Sequence, residues 1–367
     1  MLKKLKKIIK NLLAIAWIRG VYNALNKYIL SLFSSNRLFA TVYTFFGFMT
    51  FNREQYAVLK ARRNYYRNLK NKTRATHVEL RRNIHRLEKG MTMQPRRPIF
   101  ARDYVGETIG FYEDAITQEA LSPGSIDSSE LLWAHDVLEK YFSISSSGNA
   151  MVDDARARFE VLSEIEHSDS KQSKSPYKAS DRTISSVEYD ELLTLATQRR
   201  SIRWFKKKRV PRTLIDQALL VGRQSPTACN RLPYEFRIFD DPEMVKKVAG
   251  IPFGAGGYSH QVPAIAVVVG KLDSYFSPRD RHAIYIDSSL ASMSFMLALE
   301  TLGLSSTVIN WPDFEPLEIK MQKTLGLETS ERVVMLIAIG YADPNGGIPY
   351  SQKKNLETIR QYNKLSQ

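Results

Sequence analysis

Two stretches in the second half of this 367-residue chain carry the residue types that could do chemistry. Arg199, Arg200, Ser201 and Arg203 put three guanidinium groups and a hydroxyl into five positions, just where a helical pattern ends. Guanidinium groups make bidentate, charge-assisted contacts and the hydroxyl adds a donor, so the cluster suits a phosphate. Arginines after a helix are common on surfaces, and the cluster alone is poorly specific. Residues 225–236, SPTACNRLPYEF, form a loop of small polar residues running into a strand. Together the two suggest a phosphate clamp followed by a backbone platform for a flat ligand. The loop lacks the glycine spacing of a P-loop or of a dinucleotide fingerprint, which disfavours ATP and a Rossmann-bound dinucleotide.

These stretches need elements to hold them. A domain start is expected at Ser185, where Ser185-x-x-Glu188 reads as a capping box and Leu192, Leu193 and Ala196 carry an apolar stripe towards Arg199. Pro211 opens another helix, with Ile215, Ala218, Leu219 and Gly222 at helical spacing. Residues 236–239 read as a short strand, Asp241-Pro242 as a helix start and 254–257 as a flexible loop. Residues 264–270, AIAVVVG, read as a buried strand, and 286–302 is apolar nearly all round, predicting a central buried helix stopped by Gly303. A third strand at 305–310, a helix at 317–325 and a fourth strand at 333–341 complete the series. Helices and strands alternate without strict βαβ regularity, which predicts an α+β fold with a mixed sheet.

The first half differs in charge and in pattern. The chain carries a net charge of +15, but residues 1–100 hold 22 Lys and Arg against 3 Asp and Glu, so all the excess lies there. A basic segment on a near-neutral body points to an anionic partner. MLKKLKKIIK at the start is amphipathic at helical spacing. The apolar run at 12–18 ends at Arg19 without a small-residue cleavage site, which argues against a signal peptide. Residues 28–52 contain one charge, Arg37, and are long enough to span a bilayer. A central Arg costs about 2.5–3.5 kcal/mol on insertion scales, however, and Ser34-Ser35-Asn36 reads as a turn. Two short interfacial segments fit better, with packing of Phe33, Phe39, Phe45, Phe46 and Phe48 in a helical domain as the alternative.

Residues 53–89 read as helical and very basic, with Gly90 as a stop, and further helices are expected at 104–117, 129–142 and 153–167. His77, His85 and Glu88 could be imagined as metal ligands, but only His85 and Glu88 share i,i+3 spacing and no second pair stands nearby. A metal site needs three or four convergent ligands, so a solvated face is expected and no metal. No nucleic-acid-binding motif is present, and that reading rests on charge alone. Residues 168–183 have almost no large apolar side chain and read as a linker. The expected organisation is a basic segment at 1–52, a helical domain at 53–167, a linker at 168–184 and a second domain at 185–367. Cys229 is the only cysteine, which excludes an intrachain disulfide and fits a reducing, cytoplasmic setting, peripheral on the inner membrane face if the basic segment binds anionic lipid.

RRSIRWF, a helix, SPTACNRLPYEF, the buried strand, the apolar helix ending in ETLGLSS, and RVVMLIAIGYADP follow one another in an order that resembles the FMN-dependent nitroreductase family, over about residues 185–360. The resemblance implies a homodimer through the C-terminal domain, with FMN at the subunit interface and NAD(P)H as electron donor. It implies that Arg199, Ser201 and Arg203 contact the FMN phosphate, ribityl chain or pyrimidine edge, with Arg203 near the N1/O2 side of the ring. Pro226, Thr227 and Ala228 would lie along the isoalloxazine through their backbone, with Asn230 beside them, and Ile309, Asn310 and Trp311 would offer backbone groups near N5. Lys353, or alternatively Lys354, stands where the family closes its phosphate site.

Thr227, Leu232 and Tyr234 depart from the family's usual Ser, Gln and Trp, and Tyr341-Ala342-Asp343-Pro344 delays an expected proline. Those changes bear on substrate choice more than on cofactor binding. Cys229 lacks a His/Asp relay in the sequence and is expected to pack in the loop. The cofactor carries the chemistry in such enzymes, so no catalytic side chain is assigned. The resulting expectation is NAD(P)H-driven, ping-pong reduction of a small-molecule acceptor. The alternatives are a membrane-tethered flavin-binding scaffold, or a specialised flavin dehydrogenase or dehalogenase acting on a biosynthetic intermediate.

Overall fold

The Ser-Ser-Asn cluster breaks the N-terminal helical pattern, and Asn36 starts the next helix by accepting the Phe39 N–H at 2.9 Å. The structure, a computed structural model, describes residues 15–48, 51–71, 77–162 and 173–365. The amphipathic pattern of residues 1–10 and the C-terminal end of the helix expected at 153–167 lie outside them. Packing divides the chain into two compact units, Met1–Leu59 and Lys60–Gln367.

In the first unit, helix α1 (Ala16–Phe33) and helix α2 (Arg37–Tyr43) bury no residue. Phe33 packs on Phe39 and Tyr43 at ring distances of 6.4 and 5.3 Å, whereas Phe45 and Phe46 are exposed. Packing thus accounts for Phe33, Phe39 and Tyr43 and not for Phe45 and Phe46. No helix among the described residues is long and apolar enough to cross a membrane.

Helix α3 (Asn52–Asn71) leads into the second unit. There α4 (Val78–Met91), α5 (Val105–Leu121), α6 (Ser128–Ile144) and α7 (Ala150–Leu162) close around Ile84, Leu87, Ile109, Val137 and Tyr141. Each such aliphatic side chain contributes about 1.5–3 kcal/mol when fully buried. Gly90 does not stop its helix, which continues through Met91. It is needed for space instead, because a Cβ there would stand 2.5 Å from the Phe100 ring. Glu88 is taken up by His85 Nδ1 at 3.0 Å and by the Trp133 indole N–H at 2.9 Å.

After an extended stretch with one 3₁₀ turn come α8 (Tyr189–Gln198), α9 (Arg212–Gly222), α10 (Pro242–Ala249), α11 (Ala283–Thr301) and α12 (Glu315–Leu325). They flank strands β1 (Tyr234–Phe239), β2 (Ala264–Lys271), β3 (Ser305–Asn310) and β4 (Glu331–Gly340). The α8 capping box is formed by Glu188 and Glu191, not by Ser185, whose hydroxyl accepts from Val187 N–H one turn earlier. The strands run in the order β1-β2-β4-β3, all antiparallel, and among the described residues the one parallel pairing is a bridge between Ser201 and Ser306.

Strand β2 is buried on both faces, and its alternation splits the core in two. Ile265, Val267 and Val269 face the layer of α10 and α12, while Ala264, Ala266 and Val268 pack with Phe295 and Leu299 of α11. Helix α11 is not buried all round, as its composition predicts. Ile286, Leu290 and Met293 form an exposed stripe, and Leu192 and Leu193 on α8 are exposed as well.

Candidate active site

The arginine cluster lies along one end of the sheet. Past the end of α8 the chain runs extended: Ile202 N–H donates to Ser306 O at 3.1 Å, Lys206 N–H to Tyr341 O at 2.8 Å, and Asp343 N–H to Trp204 O at 3.0 Å. Ile202 and Phe205 point into the core while Arg199, Ser201 and Arg203 stay half-buried. Gln261 fixes the segment from the other side, its amide donating to Arg203 O and accepting from Phe205 N–H at 2.7 Å. The Arg203 guanidinium lies 6.0 Å from the Tyr258 ring centre. Arg199 Nε is buried without a hydrogen-bond partner among the described residues. Arg200 is half-buried and offers its carbonyl to Ile202 N–H.

A fixed, half-buried row of cationic donors with one orphaned N–H fits a phosphate group, because such donors are costly to leave unpaired. Lys353 and Lys354 are exposed, just before the short helix α13 (Leu356–Ile359).

The second stretch lies at the opposite end. Lys271 N–H donates to Pro233 O at 2.8 Å, tying the loop to the end of β2. Within the loop Cys229, Asn230 and Leu232 have φ of 55°, 53° and 47°. This left-handed region costs an ordinary L-residue roughly 1–2 kcal/mol, and Asn less. Contacts around the loop offset that strain. Ala228 N–H donates to Asp287 Oδ2 at 2.9 Å, Leu232 N–H to Thr227 Oγ1 at 3.2 Å, and Arg81 Nε donates to Asn230 O at 2.8 Å.

Asp287 is 4% exposed and also accepts from the Tyr275 hydroxyl at 3.1 Å. Burial pushes its carboxyl up from the ordinary value, opposed by those two hydrogen bonds. The Ala228 N–H, one of the expected ligand-facing backbone groups, is therefore occupied in shaping the loop, and so is the Asn230 carbonyl. Pro226 and Ala228 are exposed, and Thr227 is half-buried. Cys229 is half-buried in the strained turn.

Ile309, Asn310 and Trp311 close β3 at this same end. The Ile309 and Trp311 side chains are buried, and the Trp311 indole donates to Glu318, while Asn310 is exposed. Beside them Arg332, 2% exposed, reaches Asp313 Oδ1 at 3.0 Å.

One chain therefore does not bring the two groups together. Helix α11 measures the gap: Asp287 holds the loop, and Glu300 meets Gln198 Nε2 at 3.3 Å beside Arg199. About 20 Å of helix separates these acids at 1.5 Å per residue. Among the described residues no group of three His, Cys, Asp or Glu could hold a metal.

Neither spacing nor motif in the sequence points to Asp287, Arg231, Glu79 or Arg81. Asp287 does carry a legible signal, since it and Glu300 are the two acids in an otherwise uncharged helix.

Comparison with known proteins finds similarity in the second half of the chain. The sequence profile of the nitroreductase family matches residues 196–255 and 257–341. A protein of Methanothermobacter thermautotrophicus, provisionally named NADH dehydrogenase/NAD(P)H nitroreductase, is 28% identical over 162 residues, covering 43% of this chain and 80% of that one. Iodotyrosine deiodinase 1 of Pongo abelii is 21% identical over 197 residues, covering 46% and 67%. An FMN-dependent nitroreductase of Clostridium difficile overlays 47% of this chain and 99% of its own, at 21% identity and a TM-score of 0.41. Residues 196–255 and 257–341, which carry both the arginine row and the strained loop, are thus the part of the chain that is similar to the nitroreductase family.

Proposed function

We propose that the chain is an FMN-dependent oxidoreductase that draws electrons from NAD(P)H and passes them to a small-molecule acceptor in a ping-pong cycle. The reading is carried by the row of Arg199, Ser201 and Arg203 held rigidly against the ends of β3 and β4, with Arg199 Nε buried and unpartnered. In this reading Arg199, Ser201 and Arg203 hold the phosphate and pyrimidine side, aided by Lys353 or Lys354. The loop of Pro226, Thr227, Ala228 and Asn230 then lines the ring, with the backbone at Ile309, Asn310 and Trp311 nearby. FMN, when bound, supplies hydride acceptance and delivery. The chain's part is to orient it and to set positive charge from Arg203 at its edge.

The two groups lie at opposite ends of one sheet, so the complete site is proposed to form between two copies, one giving the arginines and the other the loop. The exposed stripe Ile286, Leu290 and Met293, with Leu192 and Leu193, is the apolar surface a second copy would cover. Purified full-length protein is expected to be yellow and to release FMN on denaturation. Colourless protein that takes up no added FMN would overturn the proposal.

Similarity to iodotyrosine deiodinase 1 favours a second reading, reductive dehalogenation on the same cofactor. Release of iodide from iodotyrosine by the reduced protein supports it, and absence of iodide rejects it.

For the N-terminal unit we propose attachment to an anionic membrane surface. No Asp or Glu occurs before Glu54, and Trp17, Val21, Leu25 and Tyr28 form an exposed stripe on α1. Interfacial helices combine these features. Full-length protein is expected to sediment with vesicles containing phosphatidylserine and to be released by salt, while Trp17→Ser/Leu25→Ser protein stays in solution. Equal sedimentation of the two proteins would reject the attachment.

A further inference from the structure

Helix α4 lies outside the residues matched by the family profile, yet it touches the strained loop directly. Three non-glycine residues at positive φ within four positions do not hold that shape unaided. Such backbone persists where the surroundings over-determine it. Asp287 and Thr227 supply two anchors from within the family domain. The other two come from α4. Arg81 Nε donates to Asn230 O at 2.8 Å, and Glu79 Oε1 lies 3.5 Å from Arg231 NH2. Arg231 is 5% exposed and stacks over Tyr275 at 4.9 Å, the ring whose hydroxyl meets Asp287. Arg81 is itself aimed by α6: its NH1 pairs with Glu130 Oε2 at 3.0 Å, and its guanidinium lies 5.2 Å from the Trp133 ring centre.

We infer that the helical region is a brace for the cofactor loop, in which Arg81 and Glu79 act as positioning residues: Arg81 holds Asn230 in its left-handed conformation and Glu79 holds the Arg231 side chain beside it. The inference rests on the reading that this loop lines the flavin. In this arrangement the extension completes the family domain instead of merely being attached to it.

The test uses full-length protein and two readouts: hydrogen exchange of the 227–232 amides without cofactor, and FMN affinity by fluorescence titration. Arg81→Ala is expected to speed exchange at Asn230 and Leu232, and to weaken FMN binding, by about tenfold or more, as loss of a charge-assisted hydrogen bond to a shaped loop predicts. Arg81→Lys keeps the charge near Glu130 but cannot reproduce the directed Nε–H bond, so it is expected to behave like Arg81→Ala.

Arg156→Ala serves as the control. Arg156 binds Phe142 O and Ser145 O inside the helical bundle, so its loss lowers thermal stability and leaves both readouts within about twofold. The brace is overturned if Arg81→Ala leaves loop exchange unchanged, if Arg81→Lys restores it, or if Arg156→Ala loosens the loop equally. Should wild-type protein bind no FMN, the exchange readout still decides the brace, and only the cofactor reading fails.

Discussion

Full-length Arg203→Ala protein and full-length Ala228→Phe protein, each holding FMN at least about tenfold more weakly alone, are expected to recover tight FMN binding at about one quarter of the sites when their subunits are exchanged at equal amounts. Arg203→Ala removes a charge-assisted donor, a loss of about 1.5–3 kcal/mol, or roughly tenfold to a hundredfold in affinity. Ala228 is exposed at the tip of the loop, so Phe there blocks the ring face without disturbing a core. The recovery follows from the proposed composite site. The arginine row pairs with Ser306 and Tyr341 at one end of the sheet, and the loop is tied to Lys271 at the other. In a mixed dimer one site receives the intact arginine of one copy and the intact loop of its partner, while the other site receives both lesions. Half of the dimers are mixed and half of their sites are whole. Subunits that exchange, as judged by co-purification of two tags, but regain no FMN would reject the composite site.

Glu79→Ala is expected to destabilise the protein by about 3–5 kcal/mol, the cost of removing one partner of a buried ion pair. Arg231 is 5% exposed and its Nε already lacks a partner among the described residues, so losing Glu79 strands a guanidinium inside the molecule. Arg82, at 3.0 Å from Glu79 Oε2, loses its contact too but can turn to solvent. Arg212→Ala provides the contrast. Its pairing with Asp240 at 2.8 Å has good geometry, but the Arg212 side chain is 73% exposed. Exposed pairs of this kind add little to stability, because water and salt screen them and two long side chains must be ordered. Chemical denaturation of the two variants measures the difference. A Glu79→Ala loss as small as that of Arg212→Ala would mean that Arg231 finds another partner or reaches water.

Much of the C-terminal fold is legible in the residues. AIAVVVG has no polar side chain on either face, so it can only be an inner strand, and it lies between β1 and β4. Asp241-Pro242 and Gly303 stand where their caps are needed: Asp241 accepts the Met244 N–H, and Gly303 leaves α11 at φ 74°. The arginine row is legible too, because a helix end followed by alternating Arg and apolar residues describes an extended edge segment. Its opposition to the loop is not, since nothing in the spacing says at which end of a sheet a loop falls.

The exposed stripe on α11 escapes for a related reason. Ile286, Leu290 and Met293 look like core to a periodicity argument, and an apolar surface of the kind proposed to meet a second copy has the same composition as a core. Least legible is the helical region. Arg81 and Glu79 sit in a very basic helix where a solvated face is the natural expectation, and only the fold shows two of its charged residues turned towards Asn230 and Arg231.

The most direct measurement is the visible absorbance of the purified full-length protein under anaerobic conditions, before and after NADH or NADPH. The account predicts flavin bands near FMN stoichiometry that bleach on addition of one of the two donors and return with an electron acceptor. Flavin bands that neither donor bleaches would point to a flavin-binding scaffold, and absence of any bands after incubation with FMN would contradict the site itself.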